Sequence, residues 1–173
     1  MSLKLSICFA AGVTLMSCKA IFAQQARPPA SSHPQLAVIV DGSVTPNQIP
    51  DGLAYRHYLT AIATHASPSE TEYARQAAQI APLGLSSADQ GALISALVTF
   101  RSQLDTIESS RENVVPGAAA AAQISGLETQ VNNLVAATIQ SIRQMLTPTA
   151  ANTIDQYVKT HVKTHIKIYG GTH

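Results

Sequence analysis

His161 and His165 stand four residues apart in the run Val158-Lys159-Thr160-His161-Val162-Lys163-Thr164-His165-Ile166-Lys167. On a helix, side chains at that spacing share one face, so both imidazoles can reach a single ion, and neutral imidazole suits divalent zinc, copper or nickel. Zinc hydrolysis of the HExxH type also needs a Glu directly after the first His as general base. Val162 occupies that position, so the pair points to binding rather than hydrolysis. A third ligand has to come from elsewhere. His173 is near in sequence, whereas His57 and His65 can approach only through the fold. The alternative is a pair of solvated histidines on a helix flank.

The same near-repeat spaces Lys159, Lys163 and Lys167 evenly. On a helix, Val158, Val162, Ile166 and Tyr169 form an apolar stripe, with the lysines on one flank and the histidines on the other. Arg143 to His173 holds four Lys and Arg residues against the single acid Asp155. A local cationic face of this kind suits an anionic partner such as an acidic protein segment, a cell-wall polymer or lipid headgroups. The alternative is that the lysine stems cover the rim of a core.

Other chemistry finds little support. Gly-x-Ser-x-Gly, P-loop and dinucleotide fingerprints are absent from the sequence. Glu70 and Glu72 fall at a helix start, where acids favour the dipole. Glu108 and Glu112 repel mildly on one face, with Arg111 to offset them. Tyr55, Tyr58 and Tyr73 read as edges of a core.

The N-terminus has the order of an export signal: Lys4, an apolar run from Leu5 to Met16, and a small-residue site ending at Ala23. The run falls short of the ~20 apolar residues that span a bilayer. Cleavage after Ala23 is the expectation. The alternative is a lipoprotein, because Leu15-Met16-Ser17-Cys18 resembles a lipobox in which Cys18 is acylated and anchors the chain. Residues 24–173 contain no cysteine, which excludes disulfides and Cys-ligated zinc from that stretch. Without Lys4 and Lys19, nine Lys and Arg face ten Asp and Glu, a balance that argues against a nucleic-acid binder. Phe100 and five tyrosines are the aromatic residues after position 23, so the core must be aliphatic.

Residues 24–35 are polar and Pro-rich, a flexible tether. Leu36 to Val40 is a short apolar run before the turn signal Asp41-Gly42, and no second strand is evident to pair with it. It is expected to be an extended arm lying on helices. Asp51 is expected to cap a helix bearing Tyr55, Tyr58, Leu59 and Ile62. Ser67-Pro68-Ser69-Glu70 reads as a capping box opening a second helix with Tyr73, Ala77 and Ile80 on its face, and Ser87-Ala88-Asp89-Gln90 opens a third. In that third helix Leu93, Leu97, Phe100, Leu104 and Ile107 make a seam at alternating spacings of 4 and 3. A fourth helix from Pro116 carries Ile124, Leu127, Val131, Leu134, Thr138, Ile142 and Met145. The last should run from Thr147-Pro148 to Tyr169 and stop at Gly170-Gly171. The expectation is an all-α bundle of about five helices over 51–173, with a long antiparallel helical hairpin and a flexible N-terminal arm over 24–50. Leu97, Phe100, Leu104, Val131 and Leu134 are expected in its core.

Leu146-Thr147-Pro148-Thr149 resembles the first part of the Leu-Thr-x-x-Gln motif of small exported helical proteins of the Spy and CpxP group, with Ala150 in the place of Gln. Leu85-Ser86-Ser87-Ala88-Asp89-Gln90 is similar, with Ser for Thr and Gln one place late. The resemblance implies a periplasmic chaperone or envelope-stress sensor that holds unfolded clients without ATP. The expectation from the whole chain is an exported, non-enzymatic helical protein. It binds an envelope partner through Lys159, Lys163 and Lys167 and needs no cofactor. The alternative is a divalent-metal protein using His161 and His165.

Overall fold

The computed structural model describes residues 37–170. The tether, the Ala23 site, Cys18 and His173 lie outside the described residues. Five α-helices make an all-α bundle: α1 (Asp51–Ile62), α2 (Glu70–Ile80), α3 (Ser87–Glu112), α4 (Ala120–Met145) and α5 (Pro148–Tyr157). A two-stranded ribbon, β1 (Ala37–Asp41) and β2 (Lys167–Gly170), joins the two ends of the described chain. No helix of the described residues is long and apolar enough to cross a membrane.

Local chemistry sets the helix starts. At α2 the capping box is Ser69–Glu72, two residues later than the Ser67–Glu70 box the sequence suggested: the Ser69 hydroxyl accepts from the Glu72 amide while the Glu72 carboxylate accepts from the Ser69 amide. At α3 the cap is Ser86, one residue earlier than the sequence suggested, and it accepts from the Asp89 amide at 3.1 Å. Thr147 caps α5 with Pro148 behind it. Asp51 is not a cap. It sits in the first turn of α1, after Pro50. Helix α4 begins at Ala120 rather than Pro116, with Ala119 at its N-cap and no side-chain cap.

Helices α3 and α4 run in opposite directions. Arg111 at the end of α3 meets Glu128 near the start of α4 at 2.7 Å, and Asp89 at the start of α3 accepts from the Thr147 amide beyond α4 at 2.9 Å. Leu93, Leu97, Phe100 and Leu104 of α3 are buried against Val131, Val135 and Ile142 of α4. Leu134 is only half-buried, and Val135 takes the place expected for it. The rest of the seam holds, with Leu127, Val131, Thr138 and Ile142 buried as expected, while its two ends, Ile124 and Met145, are exposed. Helix α1 closes the core with Tyr55, Tyr58, Leu59 and Ile62, all buried. Burying each such large apolar side chain contributes roughly 1.5–3 kcal/mol. Helix α2 buries Gln76 and Ile80 and leaves Tyr73 and Ala77 exposed. The Gln76 amide bonds the Ile62 carbonyl at 2.9 Å and so fixes the α1–α2 corner.

Two expectations are corrected. Of the run expected to be an arm on helices, the described part lies in a strand, Ala37–Asp41, because it has a partner at the other end of the described chain. Ala37 pairs with Gly170, Val38 with Tyr169, Val40 with Ile168 and Asp41 with Lys167, with a bulge between Val38 and Val40. The last helix does not reach Tyr169. It ends at Tyr157 and continues as one π turn (Val158–Val162) and one 3₁₀ turn (Lys163–His165) before β2. The sequence there carries a β-branched residue at every second position from Val158 to Ile168. Such residues disfavour helix and favour strand. Thr160 and Thr164 also turn their hydroxyls onto the Gln156 and His161 carbonyls, both at 2.8 Å, which competes with a regular helical ladder.

Candidate functional site

The π and 3₁₀ turns decide which side chains of the Lys-Thr-His repeat face water. A π turn bonds i to i+5 and takes up one residue more than an α turn. Later positions are thereby displaced around the axis by about one residue, on the order of 100°. Lys159, His161 and His165 are exposed, whereas Val158, Ile166 and Lys163 are buried, Lys163 being only 8% exposed.

The three lysines therefore do not form one cationic face. The Lys163 ammonium lies 2.5 Å from Asp51 at the start of α1, and that hydrogen bond holds the Asp51 carboxyl below its ordinary range. Lys167 sits in β2 and pairs across the ribbon with Asp41 at 3.1 Å. Hydrogen bonds from the Ser43 hydroxyl and amide, with Lys167 behind them, bring Asp41 down to about 2. Lys159 is exposed and makes no ion pair among the described residues.

Gly42 makes this arrangement possible. It is buried, its amide donates to the Ile166 carbonyl at 2.9 Å, and a Cβ there would stand 1.9 Å from the Lys163 carbonyl oxygen. Only a residue without a side chain admits so close an approach of two backbones.

Both histidines are oriented by the turns that carry them. His165 Nδ1 lies 2.6 Å from the His161 carbonyl oxygen. A carbonyl can only accept, so this nitrogen carries the proton and Nε2 keeps the lone pair. His161 Nδ1 lies 2.8 Å from the Thr160 hydroxyl, whose one hydrogen goes to the Gln156 carbonyl at 2.8 Å. With that hydrogen on the Gln156 carbonyl, the hydroxyl accepts from His161 and gives that ring the same tautomer. The His161 ring also stacks on Tyr157, with centroids 4.8 Å apart and planes 12° from parallel.

The two rings border a groove of about 390 Å³ between α1 and the C-terminal turns, lined also by His57, Tyr58, Gln79 and Tyr157 and by no carboxylate. Tyr58 is 3% exposed, and its hydroxyl has no hydrogen-bond partner among the described residues. Burial first, and then Tyr157, push that hydroxyl above its ordinary range, so it remains a donor. A buried donor left without an acceptor carries a desolvation cost of about 1–3 kcal/mol.

The fold thus brings His57 to the groove of His161 and His165. His65 goes elsewhere, to Asp105 on α3 at 3.3 Å. No three His, Asp, Glu or Cys side chains among the described residues assemble into a group able to hold a metal ion. Tyr58 and Tyr157 were not legible as site residues. The one sequence signal for Tyr157 is its place four residues before His161, the spacing at which helical side chains stack. The chain matches no family model, no curated protein and no solved structure.

Proposed function

We propose that this chain is exported and binds, without catalysis, an acidic segment of an envelope partner at the groove between α1 and the C-terminal turns. The observation that carries the reading is the Tyr58 hydroxyl, a buried donor without an acceptor beside a groove whose lining has no carboxylate. The hydroxyl itself is closed to solvent, so a partner carboxylate reaches that donor only once the side chains lining the groove shift to admit it. Lys159 lies two residues before His161 and is exposed, with no ion pair of its own among the described residues, and it adds a favourable field for the same partner. A chaperone-like role, as the Spy and CpxP resemblance implies, is one form such binding takes.

The test is capture from envelope extract by the tag-free chain, comparing wild type with Tyr58→Phe. An unpartnered hydroxyl is a burden on the fold, so Tyr58→Phe should hold or raise stability by up to about 1–3 kcal/mol while capture weakens. Added salt should also weaken capture, because the Debye length shrinks from ~10 Å at 0.1 M to ~3 Å at 1 M. Undiminished capture by Tyr58→Phe overturns the groove as the binding site.

A further inference from the structure

We propose that His161 and His165 bind a divalent transition-metal ion, Zn²⁺, Cu²⁺ or Ni²⁺, through their Nε2 atoms. The inference rests on the groove being a binding site, and it names a ligand class for that site. Imidazole ligates a metal through a nitrogen lone pair, and ligating histidines characteristically give the other ring N–H to a carbonyl or another acceptor, which fixes tautomer and ring orientation. His165 meets that requirement outright, and His161 meets it with the Thr160 hydrogen directed to Gln156. His165 gives Nδ1–H to the His161 carbonyl, and His161 gives Nδ1–H to the Thr160 hydroxyl, itself committed to Gln156. Each Nε2 is thus left with its lone pair on an exposed ring bordering the same groove.

Several features of the surroundings agree with an ion of this class. Two imidazoles without carboxylate neighbours favour borderline transition metals over calcium or magnesium, which take oxygen ligands. His57 lines the same groove from α1 but does not join the pair as a third ligand. Two protein ligands leave coordination positions open, so the ion remains available to an incoming carboxylate. A cation held there suits the acidic partner proposed above better than bare imidazole lone pairs do.

Titration calorimetry on the chelator-stripped, tag-free chain with each metal chloride tests the inference. One ion per chain is expected, with uptake abolished in His161→Asn/His165→Asn and retained in His65→Ala. Thr160→Val removes the acceptor that sets the His161 tautomer and touches neither Nε2. It should weaken uptake by about 10- to 100-fold, the usual effect of losing a partner that orients a ligand. Long-range ¹H–¹⁵N spectra of the metal-free chain should show both rings protonated at Nδ1, and matching thermal melts confirm that the variants are folded. No uptake of any of the three ions overturns the proposal, as does undiminished uptake in the double variant, or protonation of both neutral rings at Nε2. The outcome is separable from partner capture. Capture that persists in chelator and falls in Tyr58→Phe keeps the groove and discards the metal, whereas uptake by a chain that captures nothing keeps the metal and discards the partner.

Discussion

Replacing Gly42 with alanine should detach the C-terminal turns from the bundle. The new Cβ would meet the Lys163 carbonyl oxygen at 1.9 Å, the Ile166 carbonyl oxygen at 2.8 Å and the Lys163 carbonyl carbon at 3.0 Å. All three are backbone atoms, so no side chain can rotate away. The Lys163 carbonyl has to retreat by more than 1 Å, from 1.9 Å to beyond the 3.0 Å that real Cβ contacts respect. That movement strains two hydrogen bonds, Gly42 amide to Ile166 carbonyl at 2.9 Å and Ile166 amide to Lys163 carbonyl at 3.2 Å. Overpacking costs about 1–3 kcal/mol and each lost hydrogen bond about 1 kcal/mol, so the total should be about 3–5 kcal/mol. Urea melts monitored by far-UV circular dichroism measure it as a lowered midpoint, and amide exchange should show the β1–β2 ladder losing protection before α3 and α4. Gly126→Ala is the matched control. It lies within α4 with nothing within 4 Å of its Cβ, and it should raise stability by about 0.5–1 kcal/mol. A loss below about 0.5 kcal/mol for Gly42→Ala, or equal effects at the two glycines, would refute the close approach.

Phe100 is buried at the centre of the α3 seam, and Phe100→Ala should cost about 3–5 kcal/mol in the same melts. Lys163 and Lys159 should separate cleanly. Lys163→Gln loses a largely buried partner of Asp51 and should cost about 1–2 kcal/mol after allowance for the exposed carboxylate. The exposed Lys159→Gln should leave the midpoint unchanged. Asp89 accepts from the Thr147 amide and from the Ser86 and Thr147 hydroxyls, and these bonds, the Thr147 amide first, hold its carboxyl below the ordinary range. Its contribution is therefore present above the ordinary carboxylate pKa and is lost as pH falls through the lowered folded value. Acid titrations of stability should show Asp89→Asn losing part of the wild-type fall below about pH 4.

The sequence carried the helices more clearly than it carried the ends of the chain. The capping signals at Ser67–Glu70, where the cap falls two residues on at Ser69, and at Thr147, and the seam from Leu93 to Leu104, are local, each complete within a few residues, and they place their elements to within a residue or two. The ribbon is not local. Each strand is too short to declare itself, and its partner stands at the opposite end of the described chain. The β-branched alternation from Val158 to Ile168 was present, but it was masked by a four-residue repeat that mimics a helical face. Reading that repeat as a regular helix puts Lys159, Lys163 and Lys167 on one flank. One π turn is enough to undo it, and nothing in the spacing of Lys, Thr and His reveals that turn. The histidine pair was legible as a pair. Its tautomers, the Tyr157 stack and the Tyr58 hydroxyl were not, because each depends on an atom brought in by tertiary packing.

The pairing of Ala37 with Gly170 has a mechanical consequence. In an antiparallel ribbon whose outermost pair holds the two ends of the described chain, tension between residues 37 and 170 loads that outermost pair alone. The ladder then opens one pair at a time, passing the bulge between Val38 and Val40 and ending at Asp41 and Lys167. Strands pulled in shear would share the load across every bond, and this geometry does not. The next bond in line is the one from the Gly42 amide to the Ile166 carbonyl, and behind it lies the turn that carries Lys163 and His165. A pull on the chain ends is therefore delivered to the histidine groove before it reaches the packed seam of α3 and α4, so tension at the ends can disturb the groove while the helical core is still intact.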